Sequence, residues 1–215
     1  IVVTVDTFIP GWKPRDLQQA WLPFLNGSGN ANYFQDPVFR ADLERTPEED
    51  LGAATGHYLG VYVNPSLTWE DLSHLREMTP LPIVIKGILH VDDAREAVRR
   101  RLDGIVVSNH GGRQVDGALA SLDALNAIVE AVGEELTVLF DSGVRGGSDM
   151  LKALALGADA ILLGRPYIWG LALEGEAGVE AVLRMILAEF DLTMALCGYT
   201  RPEQLSRASL QAEPH

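Results

Sequence analysis

Two residues stand where acid–base chemistry on a small anion would need them. His110 lies in Ser108-Asn-His-Gly-Gly-Arg-Gln114, just past a run of branched aliphatic residues. An imidazole titrates near neutrality and can take a proton at physiological pH. Arg113 follows across a Gly-Gly turn, and its planar fork matches a carboxylate. Together they suit a small hydroxy acid: one side chain holds the carboxylate while the other attacks the adjacent hydroxyl or α-carbon. A satisfied core histidine is the alternative for a lone imidazole, and Gly-Gly-Arg beside it at a strand end argues against that.

Two further segments suit an anion. Asp141-Ser-Gly-Val-Arg-Gly-Gly147 leads from an apolar run into a helix, and Gly164-Arg165 ends the next run. Glycines let backbone N–H groups approach an anion closely, and a helix N-terminus adds partial positive charge. With Arg145 and Arg165 they match a phosphate group, in the place where (β/α)₈ barrels commonly bind one. Gly-rich turns carrying solvated arginines are the competing reading. Lys86 closes Pro82-Ile-Val-Ile-Lys86, so its ammonium is expected to enter the same pocket. There it could hold negative charge, form a Schiff base, or pair structurally with Asp6 or Asp141. His57, His74, His90 and His215 show no metal-ligand spacing, and no metal site is expected.

The elements that must position these groups are legible as alternating runs. Ile1–Asp6, Pro82–Lys86, Gly104–Ser108, Thr137–Asp141 and Ala160–Gly164 are short and continuously apolar, as strands buried on both faces are. Between them lie helical patterns. Thr68 with Asp71 resembles a capping box ahead of Leu72, Leu75 and Met78. Asp92–Arg101, Ser121–Val132 before Gly133, and Ser148–Leu156 before Gly157 follow, with a last helix over Gly178–Leu196 stopped by Gly198. This alternation predicts an α/β fold of five βα units with a parallel sheet. Asp6, Lys86, His110, Asp141 and Arg165 then share the C-terminal face of the strands, the active-site face of such a barrel. Residues 14–60 differ, with Pro and Gly punctuation, a Thr46-Pro-Glu-Glu49 helix start and no strand. They are expected to form a lid insertion with short helices, an ordinary surface insertion being the alternative.

Composition bounds the rest. The 215 residues carry a net charge of -13, which disfavours nucleic acid and anionic membranes as partners. No apolar run approaches the ~20 residues of a membrane span. The single cysteine, Cys197, excludes an intrachain disulfide and favours a reducing, cytoplasmic setting. Its apolar neighbours predict a buried thiol.

Four of these segments also carry a resemblance: Ser108–Gln114, Pro82–Gly87, Asp141–Arg145 and Leu163-Gly-Arg-Pro166. They resemble the FMN-dependent 2-hydroxy-acid dehydrogenase and oxidase family over residues 4–205. The long lid and Gly11-Trp-Lys-Pro-Arg-Asp-Leu17 look most like its lactate 2-monooxygenase branch. The resemblance implies one partial FMN-dependent TIM (β/α)₈ barrel domain over residues 1–215, about strands 4 to 8, with the 14–60 lid after strand 4. It implies His110 as base and Asp6 as stabiliser of its protonated form. Arg113 would bind the substrate carboxylate. Thr4, Lys86 and Ser108 would contact the flavin ring, with Lys86 stabilising negative charge on it when reduced. Asp141, Ser142, Gly143, Val144 and Arg145 would take the ribityl chain and phosphate, completed by Gly164 and Arg165. The implied reaction is oxidation of a small L-2-hydroxy acid to the 2-oxo acid with O₂ as acceptor. In the monooxygenase branch lactate would give acetate, CO₂ and water.

Two departures qualify it. Lys13 stands where the family has a second substrate arginine, offering a point charge in place of a fork unless Arg15 substitutes. The family also draws flavin contacts and two substrate tyrosines from an N-terminal half not seen here, and five strands cannot close a barrel. A companion N-terminal segment is therefore expected, in a homo-oligomer. The rival readings are another phosphate-binding barrel (a flavin-dependent isomerase or an IMP-dehydrogenase-like enzyme) and a non-catalytic half-barrel module.

Overall fold

A computed structural model describes residues 1–210, so His215 lies outside the described residues. The chain divides into two compact units, Ile1–Asp6 with residues 69 onward, and Thr7–Thr68.

The first unit is built on a parallel sheet. Its strands are β1 (Val2–Thr4), β2 (Val84–Ile88), β3 (Gly104–Val107), β4 (Thr137–Phe140) and β5 (Ala160–Ile161), adjacent in chain order. Between them run α5 (Trp69–Met78), α6 (Val91–Arg99), α7 (Ser121–Val132) and α8 (Gly147–Ala155), and α9 (Arg165–Leu196) follows β5. Every residue of β3 is buried, as its uninterrupted aliphatic run requires of a central strand. Ile83, Ile85, Ile105, Val107 and Val138 are fully enclosed with Leu125 and Ile128 of α7. Each such aliphatic contributes about 1.5–3 kcal/mol through burial.

Three expectations need correction. β2 starts and ends later than its apolar run suggests, so Lys86 lies inside the strand and not at its end. The register with β3 shifts between Lys86 and Ile88, a bulge centred on Gly87. The last helix begins at Arg165, well before Gly178, and bends at Glu174 and Gly175. The two halves cross where Gly170 and Gly178 meet, a Cβ on Gly170 lying only 2.3 Å from the Gly178 carbonyl oxygen. Cys197 is exposed. The buried stripe of α9 is Ile186, Phe190 and Met194, and the helix ends at Leu196, leaving the thiol beyond it.

The second unit is helical: α1 (Pro14–Gln18), α2 (Ala31–Phe34), α3 (Pro37–Ala41) and α4 (Leu51–Tyr62), with a 3₁₀ turn at Pro23–Asn26. Aromatic rings hold it together. Tyr33 meets Phe39 and Tyr58 edge-on at 5.8 and 4.9 Å, and Phe39 lies 4.7 Å from the His57 ring. Asp36 and Asp50 cap α3 and α4 by accepting amide hydrogens.

Candidate active site

His110 and Asp6 form the centre of the site. His110 Nδ1 lies 3.1 Å from Asp6 Oδ1. A carboxylate only accepts, so Nδ1 carries a proton in this contact, and in the neutral imidazole the lone pair is on Nε2. Asp6 reaches this position because β1 ends at Thr4 and because Gly87 leaves it room. Gly87 has φ 111°, and a Cβ there would lie 2.6 Å from Asp6 Cγ, so the bulge in β2 and the carboxylate occupy one space. Gln114 Nε2 donates to the Asp6 backbone carbonyl at 2.6 Å. Among the described residues Asp6 Oδ2 is buried without a hydrogen bond, an acceptor held out of water next to the imidazole.

Lys86 is fixed beside this pair. Its ammonium is 3.0 Å from both Ser108 Oγ and Asp141 Oδ2. Of the alternatives open to Lys86, the structural partner is Asp141 and not Asp6. A nitrogen engaged by a carboxylate and a hydroxyl serves better as a standing positive charge than as an amine nucleophile. Thr4 sits beside it, paired with Lys86 across β1 and β2.

The arginines line the same opening. A cavity of about 360 Å³ is bounded by Lys86, His110, Arg113, Asp141, Ser142, Arg145 and the Leu162–Pro166 turn. Arg113 and Arg145 are exposed, and among the described residues neither guanidinium has a partner. Arg165 Nη2 donates to the Gly111 carbonyl at 2.5 Å. Gly111 (φ 63°) permits that approach, since a Cβ on it would lie 2.9 Å from the guanidinium nitrogen. A Cβ on Gly143 or Gly164 would meet nothing within 4 Å, so both turns present bare backbone to open space.

One part of the anticipated phosphate cradle is already occupied. The amides of Arg145 and Gly146 donate to Asp149 Oδ2 at 2.9 and 3.3 Å. That carboxylate takes the place at the start of α8 that an external anion would use. The positive charge left for an anion is that of Arg145, Arg165 and the start of α9.

The structure thus brings Asp6, Lys86, Ser108, His110, Asp141 and Ser142 into one bonded network. Arg113, Gly143, Val144, Arg145, Gly164 and Arg165 line the adjoining cavity. Lys13 and Arg15 belong to the Thr7–Thr68 unit, Lys13 just ahead of α1 and Arg15 within it. Gln114 and Asp149 had no assigned role from sequence. Gln114 was visible inside the His-Gly-Gly-Arg-Gln run, and Asp149 three residues after Gly146 has capping-box spacing.

The arrangement offers an oriented imidazole, a guanidinium without a partner among the described residues, and a cationic cavity, and the chain that carries it is similar to known proteins. The profile of a family described as FMN-dependent dehydrogenase matches residues 1–212. An FMN-dependent alpha-hydroxy acid dehydrogenase of Schizosaccharomyces pombe is 49% identical, covering 99% of this chain and 54% of the relative. An L-lactate oxidase of Lysinibacillus sphaericus is 47% identical over 98% of this chain and 54% of its own length. A solved structure of mandelate oxidase superposes with a TM-score of 0.75 at 38% identity, covering 96% of this chain and 53% of that one. The chain spans about half the length of the curated relatives it matches. Its five βα units are accordingly part of a TIM-barrel fold.

Proposed function

This chain belongs to the FMN-dependent dehydrogenase family, and on that premise we propose that it oxidises a small L-2-hydroxy acid to the 2-oxo acid, with His110 as the base. The carrying observation is the His110–Asp6 contact at 3.1 Å beside the free guanidinium of Arg113. The relatives named L-lactate oxidase and 2-hydroxyacid oxidase support the substrate class and O₂ as acceptor.

The residues present fit FMN. Gly143 and Gly164 leave backbone open to a ligand, and Arg145 with Arg165 supplies charge for a phosphate. Asp141, Val144 and the backbone of Ser142 line the cavity between that pole and Lys86, and would hold the ribityl chain. Lys86, Ser108 and Thr4 would face the ring system, where a fixed ammonium offsets negative charge. When bound, FMN supplies the two-electron acceptor that no side chain of the cavity can provide.

The chain's own groups do the rest. Arg113 binds the substrate carboxylate through its fork and sets the α-carbon against His110. Nε2 of His110 takes the substrate proton, and the imidazolium so formed is held by Asp6, whose carboxylate accepts from Nδ1–H throughout. In this reading Lys13, or Arg15 in its place, assists Arg113. The Thr7–Thr68 unit, which includes the 14–60 insertion, acts as a lid within one barrel domain. Further barrel strands pair with the sheet edges at β1 and β5, and the whole works in the cytoplasm as a homo-oligomer.

The test uses the full-length protein containing this chain, loaded with FMN and mixed anaerobically with L-lactate, glycolate and mandelate. Bleaching of the flavin by one of them is expected. Bleaching only by NAD(P)H, or no flavin binding, rejects the reading in favour of another barrel enzyme or a binding module. Products in air then sort the branch: pyruvate with H₂O₂ marks an oxidase, whereas acetate with CO₂ and water marks the lactate 2-monooxygenase outcome.

A further inference from the structure

Ser142 adopts a backbone conformation that its side chain makes unfavourable. Its φ is 80°, in the left-handed region where a Cβ is strained and glycine is not. Gly143 follows at φ 81°, so the turn already contains one residue suited to that geometry. The hydroxyl on this strained backbone is fully used. It accepts from the backbone N–H of Asn109 at 3.3 Å and of Gly111 at 3.1 Å, and donates to Asp141 Oδ1 at 2.8 Å. Two lone pairs and one proton is all a hydroxyl has.

The two amides it receives flank the base. His110 itself has φ 56°, an uncommon conformation for a residue with a Cβ. Its own N–H donates to Ser108 Oγ at 3.0 Å. Three successive amides therefore end on two serine hydroxyls, Ser142 outside and Ser108 in the middle. Such converging N–H groups would otherwise form an anion-binding nest. The same serines close a ring, since Ser108 accepts from Lys86 and Ser142 donates to Asp141, the carboxylate paired with Lys86.

We propose that the Ser142 hydroxyl is a positioning residue for the base: it clamps the backbone on either side of His110 and ties it to the Lys86–Asp141 pair. Ser142 acts on the substrate only through His110. This inference rests on the proposed oxidation of 2-hydroxy acids, in which His110 is the base, and differs from a cofactor-contact role for the Asp141–Arg145 turn.

The test is made on the full-length FMN-loaded protein with Ser142→Gly and Ser142→Ala. Glycine relieves the φ strain while removing the hydroxyl, and alanine keeps the strain without it. In both, amide exchange across Asn109–Gly111, read by hydrogen–deuterium mass spectrometry, is expected to rise by about tenfold, and kcat to fall by about tenfold with KM and the FMN Kd within about twofold. Ser142→Gly should unfold at a higher midpoint than Ser142→Ala, because glycine relieves the φ strain that alanine keeps, so an equal fall of kcat in both separates positioning from a general loss of stability. Unchanged exchange at Asn109–Gly111 overturns the proposal whatever the activity. A loss confined to FMN affinity also overturns it and assigns Ser142 to the cofactor. If the parent protein reduces its flavin with no 2-hydroxy acid, the functional reading fails instead, and the exchange result still decides whether the clamp exists.

Discussion

The two ends of the sheet use the same kinds of residue in opposite ways. At the N-terminal ends of the strands, Asp103 Oδ2 accepts from the Ile83 amide and pairs with Arg76, both at 2.7 Å. Asp159 Oδ2 likewise accepts from the Val138 amide at 2.7 Å. Through that one oxygen each carboxylate finishes the backbone hydrogen bonding of a neighbouring strand. At the C-terminal ends Asp6 keeps one oxygen buried and unbonded, while Arg113 and Arg145 stay without partners among the described residues. Polar groups satisfied by their own backbone stabilise a fold, whereas groups left with unused capacity are available to a ligand. The difference lies in the accounting of hydrogen bonds and not in residue type.

Removing the proposed base should give the largest effect. His110→Ala is expected to lower kcat of the full-length protein in the proposed oxidation by about 10²–10⁴-fold, while its thermal midpoint stays near that of the parent. An equal loss of stability would mean that His110 is a structural residue like those at the other end. Gly87→Ala acts on both properties at once, because its Cβ would displace Asp6 from the base. It should cost about 1–3 kcal/mol of stability in a urea titration and roughly tenfold in kcat. Unchanged kcat there would show that Asp6 does not need its present position.

Asp103→Ala is the complementary probe at the N-terminal end. It leaves the buried Ile83 amide without its acceptor and should cost about 1–3 kcal/mol, with kcat of the folded fraction preserved. A fall in kcat without a fall in stability would erase the contrast between the ends. The smallest effect concerns Arg100, which donates to Glu96 of its own helix and to Glu70 of α5 at 2.7 Å each. Hydrogen bonds from Arg100 hold both carboxyls below their ordinary values. Groups depressed on folding add stability above the ordinary carboxylate range and lose it as pH falls through their lowered values. Glu70 is solvent-exposed and Glu96 half-buried beside it, so Arg100→Gln should flatten the acid side of a stability–pH curve only slightly. A slope identical to the parent's would remove Arg100 from that end's ledger.

Much of this was legible in local pattern. Gly104–Val107 and Thr137–Phe140 are strands because continuous branched aliphatics favour extended, doubly buried backbone, and the helix stops at Gly157 and Gly198 follow from their positive φ. The His110–Arg113 run and the two arginine turns marked the site for the same reason: their chemistry is carried within a few residues. The bulge at Gly87 was hidden, since Val-Ile-Lys-Gly-Ile has no feature that distinguishes a strand's end from its irregular middle. The first half of α9 lies outside the helix expected over Gly178–Leu196, although proline suits a helix start and Gly170 serves a close helix crossing.

Sequence by itself therefore determined the five strands and the helices between them, and which side chains could act as base, clamp and phosphate ligand. Tertiary structure alone decided their partners: Lys86 with Asp141 in place of Asp6, Asp149 on the Arg145 and Gly146 amides, and Ser142 across to Asn109 and Gly111. Propensity and periodicity act over a few residues and are written locally. A hydrogen bond between β3 and β4 loops depends on strand register and on a few tenths of an ångström, which only the packed sheet sets.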